Sequence, residues 1–339
     1  MKKLSIAVLA LLISNLSGCA TMIHASDSNS EARPQTLYET HLIDAENSKV
    51  LSVDSLVQRI ASADVVVIGE YHGHQAAHLL QSQIQFALYR QQPLQVLSME
   101  QFTFDNQHAI DAYLNGKTGE TEMIEDSSAW DNYRASYRPL VEFARQHGLP
   151  VIAANAPAAI VRCVGRTGPG YLARLPTADR AQFPDNAFMD TPAYREKFTA
   201  TISNSHGAAD DAMRERMNNT YKAQLLRDNT MANRILAARG AHPGHQIVHT
   251  TGTFHSEGHL GTVAMLRQRA PELSVTVISP VVWPADEENA PFYENRNKGD
   301  FLYFIQPLPE EFLDEEREHK AMSARFRRPT EDTCQGDSP

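Results

Sequence analysis

The chain is poor in cysteine, poor in tryptophan and short of positive charge: 3 Cys, 2 Trp and 31 Lys plus Arg against 41 Asp plus Glu among 339 residues. No two of the cysteines form a Cys-x-x-Cys, which removes the usual signature of thiol redox chemistry. A net charge of −10 leaves no basic stripe, so no nucleic-acid partner is expected. It also leaves no polybasic segment to draw the chain to anionic lipid. Neither a Gly-x-Gly-x-x-Gly nor a Walker pattern is present, which disfavours a nucleotide site. No internal repeat and no apolar run long enough to span a bilayer occur. What remains is 42% hydrophobic, enough for a substantial core.

The N-terminus has an export pattern. Lys2 and Lys3 precede an uncharged apolar run, Leu4 to Leu12, and then Leu16-Ser17-Gly18-Cys19. Small residues at 17 and 18 suit a signal peptidase groove, and the Cys19 thiol is placed to take a diacylglycerol, with cleavage after Gly18. The expectation is a lipoprotein signal over residues 1–18 and acyl chains, palmitate among them, as the membrane anchor. Ala20 in place of Asp favours the outer membrane by the usual sorting tendency. Losing Lys2 and Lys3 from the 31 basic residues leaves 29 against 41 acidic ones, net −12. Two cysteines then remain, Cys163 and Cys334, and in an oxidising compartment they are expected to pair. Residues 19–37 are polar and read as a flexible tether. Residues 38–326 form the α/β body, and the polar tail 327–339 reads as irregular.

Within the body, short apolar runs alternate with helical patterns. Strands are expected at Val65 to Gly69, Leu94 to Met99, Val151 to Ala154, Gln246 to Thr251, Val275 to Ser279 and Phe301 to Ile305. Helices are expected at Gln75 to Arg90, Tyr133 to His147 with Gly148 and Pro150 closing it, after Pro157, and at Thr262 to Arg269. Residues 176–240 read as a helical excursion ending in a long helix from about Asp210 to Arg239. The fold class is α/β: a mostly parallel central sheet with helices on both faces and a helical insertion.

In such sheets ligands bind beyond the carboxyl ends of the strands. The strands here end in Gly69-Glu70-Tyr71-His72-Gly73-His74 with His78 beyond, in Glu100-Gln101, in Asn155, and in Gly252-Thr253-Phe254-His255 with His259 beyond. The candidate ligand-binding set is therefore Glu70, His72, His78, Glu100, Asn155 and His255. Carboxylate and imidazole together can hold a divalent metal, carry out acid–base work, or knit strand ends into a hydrogen-bond network. His74 and His78 lie at i, i+4, a possible metal pair, but with no Glu in the zincin arrangement. His242, His245 and His249 fall near the opposite edge and read as surface or core residues.

The run GEYHGHQAAHLLQ, carrying Glu70, His72 and His78, resembles the first motif of the ChaN family of haem-binding lipoproteins in the Tiki-like superfamily. SMEQF at 98–102, Tyr137-Arg138-Pro139-Leu140, AANAP at 153–157, AQLLRDNTMA at 223–232 and GTFH at 252–255 continue the resemblance in order, over roughly residues 63–282. The chain departs from the family where Gly73-His74-Gln75 replaces an Asp-Asn-Pro stretch, and in the form of its last motif. The resemblance implies haem as cofactor, a role in haem and iron uptake at the outer membrane, an outer-membrane haem receptor as partner, and a homodimer holding haem between protomers. A tyrosinate suits ferric iron, and Tyr71, Tyr194 and Tyr221 are the axial candidates. The superfamily also includes metal-dependent peptidases, so the alternative is an envelope hydrolase with Glu70, His72, Glu100 and His255 around a divalent metal. A third reading is an envelope assembly factor in which the cluster only ties strands together.

Overall fold

The computed structural model describes residues 33–203, 211–327 and Cys334. The signal segment, Cys19, the tether up to residue 32 and most of the tail lie outside the described residues. Residues 33–37, the end of the expected tether, lie against the body: the Arg33 guanidinium donates to Ala285 O at 2.6 Å, and Pro34 O accepts from Gln306 at 2.8 Å.

Eight strands form one sheet among the described residues. They are β1 His41–Asp44, β2 Val50–Leu51, β3 Val65–Glu70, β4 Gln95–Thr103, β5 Val151–Asn155, β6 Gln246–Gly252, β7 Val275–Val282 and β8 Phe301–Ile305. Their order is β2-β1-β8-β7-β3-β6-β4-β5. β3 to β8 run parallel, and β1 and β2 add an antiparallel hairpin at one edge. The α/β expectation holds. The hairpin and the helix Val53–Ile60 were not anticipated, because two- and four-residue strands are too short to establish a period.

Alternation along β3 shows how the layers are made. Val66 and Ile68 face a cluster with Leu56, Ile60, Leu80 and Ile84, from the helices Val53–Ile60 and Gln75–Gln91. Val65 and Val67 face the other way, onto Ala232 and Ile235 of the helix Asp211–Ala241 and Val263 of the helix Thr262–Arg269. A strand covered on both faces has no polar side to spare, hence the unbroken run of valines. Burying each contributes roughly 1.5–3 kcal/mol. Among the described residues no helix is long and apolar enough to cross a membrane.

Two differences from expectation position the site. Tyr133 to His147 is not one helix but two, Tyr133–Ser136 and Arg138–His147. Pro139 has no N–H to continue the first helix, so it opens the second, where that donor is not needed. Tyr137 stands at the break. β4 runs past Met99 to Thr103, with a register shift against β5. Glu100 and Gln101 are therefore strand residues on opposite faces, not loop residues beyond the strand. Cys163 and Cys334 are joined in a disulfide, with Cα atoms 5.3 Å apart, as their leftover status implied.

Candidate functional site

On the face covered by the helix Gln75–Gln91 sits Glu70, 1% exposed. Its carboxylate accepts from Tyr137 Oη at 2.6 Å, Gln81 Nε2 at 2.5 Å and Gln101 Nε2 at 3.1 Å, and pairs with His72 Nδ1 at 2.8 Å. Burial alone would raise its pKa. The His72 bond, the His78 and His72 charges and the Tyr137 hydroxyl hold it below the ordinary carboxylate value instead. His78 is buried: its Nε2 accepts from Gly73 N at 3.0 Å and its Nδ1 meets Gln81 at 3.1 Å. Gly73, at φ 81°, makes the turn that this bond closes. The His74–His78 metal pair is not formed, because His74 Nε2 is spent on the Gln306 carbonyl at 2.8 Å.

On the opposite face, under the helix Asp211–Ala241, sits Glu100. It accepts from Thr251 Oγ1 at 2.6 Å and Gly252 N at 2.7 Å, and its other oxygen lies 3.5 Å from His255 Nε2. Burial opposes its ionisation, but the His255 and His72 charges and those two donors bring its pKa down to about 2. His255 turns its Nδ1 to Asp228 at 2.8 Å. Asp228 is fully buried and also accepts from Thr262 at 2.9 Å and Tyr194 at 2.6 Å. Burial lowers the pKa of His255, but the Asp228 and Glu100 charges outweigh it, so the pKa is raised. That of His72 is raised as well, burial being overcome by its Glu70 bond and by the Glu70 and Glu100 charges.

The two halves meet over Gly252. A Cβ there would lie 2.9 Å from His72 Nε2 and 3.7 Å from Glu100 Oε2, so glycine is what lets His72 reach across the sheet end. His72 is the accessible member, its side chain 45% exposed against 7% for His255. The Trp130 indole stands edge-on to the His72 ring, centroids 5.0 Å apart. Lys197 braces the loop that carries His255, its Nζ donating to the carbonyls of Thr253, Phe254 and Glu257 at 3.2–3.4 Å.

Of the six residues expected at the site, Glu70, His72, Glu100 and His255 come together. His78 supports Glu70 from behind. Asn155 ties strands: it donates to Glu100 O at 3.0 Å and accepts from Ala156 N at 2.9 Å. His249 is a core residue against Ser98 at 3.0 Å, and burial takes its pKa down to about 4. His242 and His245 lie before β6, at the far end from the rim. Asp228, Gln81 and Arg227 were missed, and Gln101, noted at the end of its strand, was left out of the candidate set. Among the described residues no three His, Cys, Asp or Glu gather so as to hold a metal ion, so the expected metal cluster receives no support. The three tyrosines differ in what they touch. Tyr194 is fully buried on Asp228, and Tyr221 is 2% exposed with its hydroxyl on Asp190. Tyr71 is half-buried on the rim, and its hydroxyl makes no hydrogen bond among the described residues.

An open, mostly parallel sheet with carboxylates and imidazoles at the carboxyl ends of its strands is the arrangement in which α/β proteins place their ligand sites. The family described as haem-binding uptake, Tiki superfamily, ChaN, matches residues 56–266, and the chain belongs to it. No curated protein sequence matches the chain. Among solved structures it is similar to ChaN of Campylobacter jejuni, with TM-score 0.61 and 14% identity over 79% of this chain and 97% of that one. It also overlaps a Bacillus cereus protein, with TM-score 0.45 and 12% identity over 76% and 92% of the two chains. An erythromycin esterase mutant gives TM-score 0.44 and 13% identity over 84% and 87%. The last two overlaps are too partial to bear on function.

Proposed function

We propose that the protein is a lipid-anchored envelope protein that binds haem and takes part in haem or iron uptake. The observation that carries this reading is the family match, which spans every strand contributing to the rim. The Campylobacter protein is described with cofacial haem binding. By analogy a homodimer of this chain would stack two haems face to face, with an outer-membrane haem receptor as the partner that receives or delivers them. The acyl chains on Cys19 would hold it at the outer membrane, facing the periplasm.

Among the three tyrosines Tyr71 fits the axial role. Tyr194 and Tyr221 would each have to leave a carboxylate, and burial pushes both phenols well above their ordinary pKa. Burial also raises the Tyr71 pKa, with Glu257 adding to it and Lys298 opposing. A ferric ion supplies the charge that draws the proton off such a phenol. The test is haemin titration of the purified protein. A high-spin ferric spectrum is expected, lost or converted in Tyr71→Phe and retained in Tyr194→Phe and Tyr221→Phe. An unchanged Tyr71→Phe spectrum removes Tyr71 as the ligand, and absence of any haemin uptake removes the function.

A further inference from the structure

We propose that the turn His242-Pro243-Gly244-His245 binds a divalent transition-metal ion between its two imidazoles, at the end of the sheet away from the rim. This does not rest on the haem reading and uses none of the rim residues.

The turn is fixed by its own sequence. His245 N donates to His242 O at 3.2 Å, which closes the four residues into a β-turn. Pro243 presets the first central φ, and Gly244 stands at φ 78°, where a type II turn needs a glycine. Both flanks are anchored as well. His242 N donates back to Ala238 O of the helix Asp211–Ala241 at 2.9 Å, and Gln246 N, at the start of β6, donates to Leu94 O at 2.9 Å. Gln92 Nε2 reaches the Gly244 carbonyl at 3.4 Å. The first and fourth residues are thereby held side by side, their rings 5.4 Å apart between centres and inclined by 57°.

That separation is close to what a shared ion requires. An imidazole nitrogen lies about 1.1 Å from its ring centre and binds a metal at about 2.0–2.1 Å, so rings sharing one ion have centres about 4.5 Å apart at a right angle and about 5 Å apart in a tetrahedron. The remaining difference takes a small side-chain rotation of two half-buried rings. The fold itself makes little use of them. Among the described residues the His242 side chain makes no hydrogen bond, and His245 uses Nδ1 on the carbonyl of its turn neighbour Pro243 at 3.3 Å. A carbonyl only accepts, so that bond keeps the proton on Nδ1 and leaves the Nε2 lone pair free to ligate.

The surroundings suit a cation. The last carbonyls of the helix Asp211–Ala241 give this end a partial negative charge. Arg239 donates to His245 O at 3.3 Å, but its charge is offset by Asp64 at 2.7 Å. Asp64 also accepts from Ser274 N and Oγ, so it is not available as a ligand. Among the described residues no third His, Cys, Asp or Glu joins the pair. Two nitrogen donors select the class of ion: imidazole suits Cu2+, Ni2+ and Zn2+, whereas Mg2+ and Ca2+ favour oxygen. Water fills the other positions, which makes this an open, exchanging site and not a closed structural centre.

The test titrates Cu2+ and Zn2+ into the purified full chain, without a polyhistidine tag, in competition with a chromogenic chelator near neutral pH. The His242→Ala/His245→Ala double variant should bind one equivalent fewer than the parent. Each single variant should weaken that equivalent at least about 10-fold, the low end of what even a supporting partner of a metal ligand is worth. In His72→Ala/His255→Ala, which removes the rim imidazoles, the equivalent should remain, and the electron paramagnetic resonance of its Cu2+ complex should show splitting by two nitrogens. Circular dichroism verifies folding of each variant, and haemin uptake by the double turn variant should match that of the parent. The proposal is overturned if the double turn variant binds as many equivalents as tightly as the parent does. It is equally overturned if the single variants do no more than His108→Ala, an exposed histidine elsewhere, if the equivalent is lost with the rim imidazoles instead, or if excess Mg2+ displaces the ion.

Discussion

Replacing Glu100 by Gln tests the electrostatics of the rim directly. The side chain is buried, accepts two short hydrogen bonds from Thr251 and Gly252, and faces His255 at 3.5 Å. Its pKa falls from 4.5 to about 2 on folding. At about 1.4 kcal/mol per pH unit, that difference amounts to roughly 3 kcal/mol of stability at neutral pH. The sign follows from a folded pKa below the unfolded one: the contribution is fully present above about pH 4.5 and is lost as pH falls toward 2. By pH 3 about 2 kcal/mol of it should have gone. The amide keeps the shape but carries no charge and points one N–H at a protonated imidazole, so Glu100→Gln should lose about 2–4 kcal/mol at pH 7. The raised pKa of His255 comes first from Asp228; the part due to Glu100 is the same pair seen from its other end and is not a second contribution. Urea unfolding of parent and variant at pH 7, 5, 4 and 3 measures both quantities. The gap should narrow as pH falls, since only the parent has this titration to lose. A variant as stable as the parent at pH 7, or a gap that stays constant with pH, would refute the account of Glu100 as a buried carboxylate held ionised by its neighbours.

Gly252→Ala should fold, since φ −62° and ψ 150° suit any residue, but its methyl meets His72 Nε2. NMR titration of His72 should therefore give a pKa nearer its ordinary value, and an unmoved titration would mean that His72 does not lie over the strand end. The disulfide closes a loop of 171 residues, worth up to about 4–5 kcal/mol in the chain-entropy model. Cys163→Ser should lower the Tm and leave one thiol free to alkylation, whereas two alkylatable thiols in the unreduced, unfolded parent would exclude the bond. Cys19→Ser should keep its signal segment and incorporate no labelled palmitate; normal processing and membrane fractionation of that variant would exclude the lipid anchor.

The sheet was legible because β3 and β7 are largely buried runs of β-branched and apolar residues bounded by turns, and β6 departs from that pattern only at Gln246 and His249. The rim was legible in part, because its carboxylates and imidazoles follow those runs directly. Two features hid the rest. Glu100 and Gln101 look like a polar pair after a strand, but the strand continues through them, and alternation sends one to each face. Asp228 lies in a long helix that reads as polar. Its position on the stripe Tyr221, Leu225, Asp228, Ala232, Ile235 was the available signal: a carboxylate spaced three and four residues from buried apolar neighbours must find donors inside the fold. Its actual donors, Tyr194, Thr262 and His255, are 27 to 34 residues away in sequence, and no spacing rule connects them. The helix break at Tyr137 follows from Pro139 alone, yet that the freed hydroxyl would reach Glu70, 67 residues away, is a tertiary fact.

Whether such a cluster is a site or only a brace turns on where its unused valences point. Glu70 is answered by four donors; His78 accepts from Gly73 N at Nε2 and donates from Nδ1 to Gln81 Oε1; Asn155 donates to the Glu100 carbonyl and accepts from Ala156 N. Those residues brace. A brace of this kind gains most when every member is satisfied internally, because each buried polar atom without a partner costs about 1–3 kcal/mol. Buried side-chain atoms without a partner are spread through the fold, His74 Nδ1, Tyr133 Oη, Arg234 Nε and His249 Nε2 among them. Among the described residues the His72 Nε2, the Arg227 guanidinium and the Tyr71 hydroxyl have no hydrogen-bond partner, and all three belong to the carboxyl-end rim or to the helix packed beneath it. The braced residues therefore bear on stability and its pH dependence.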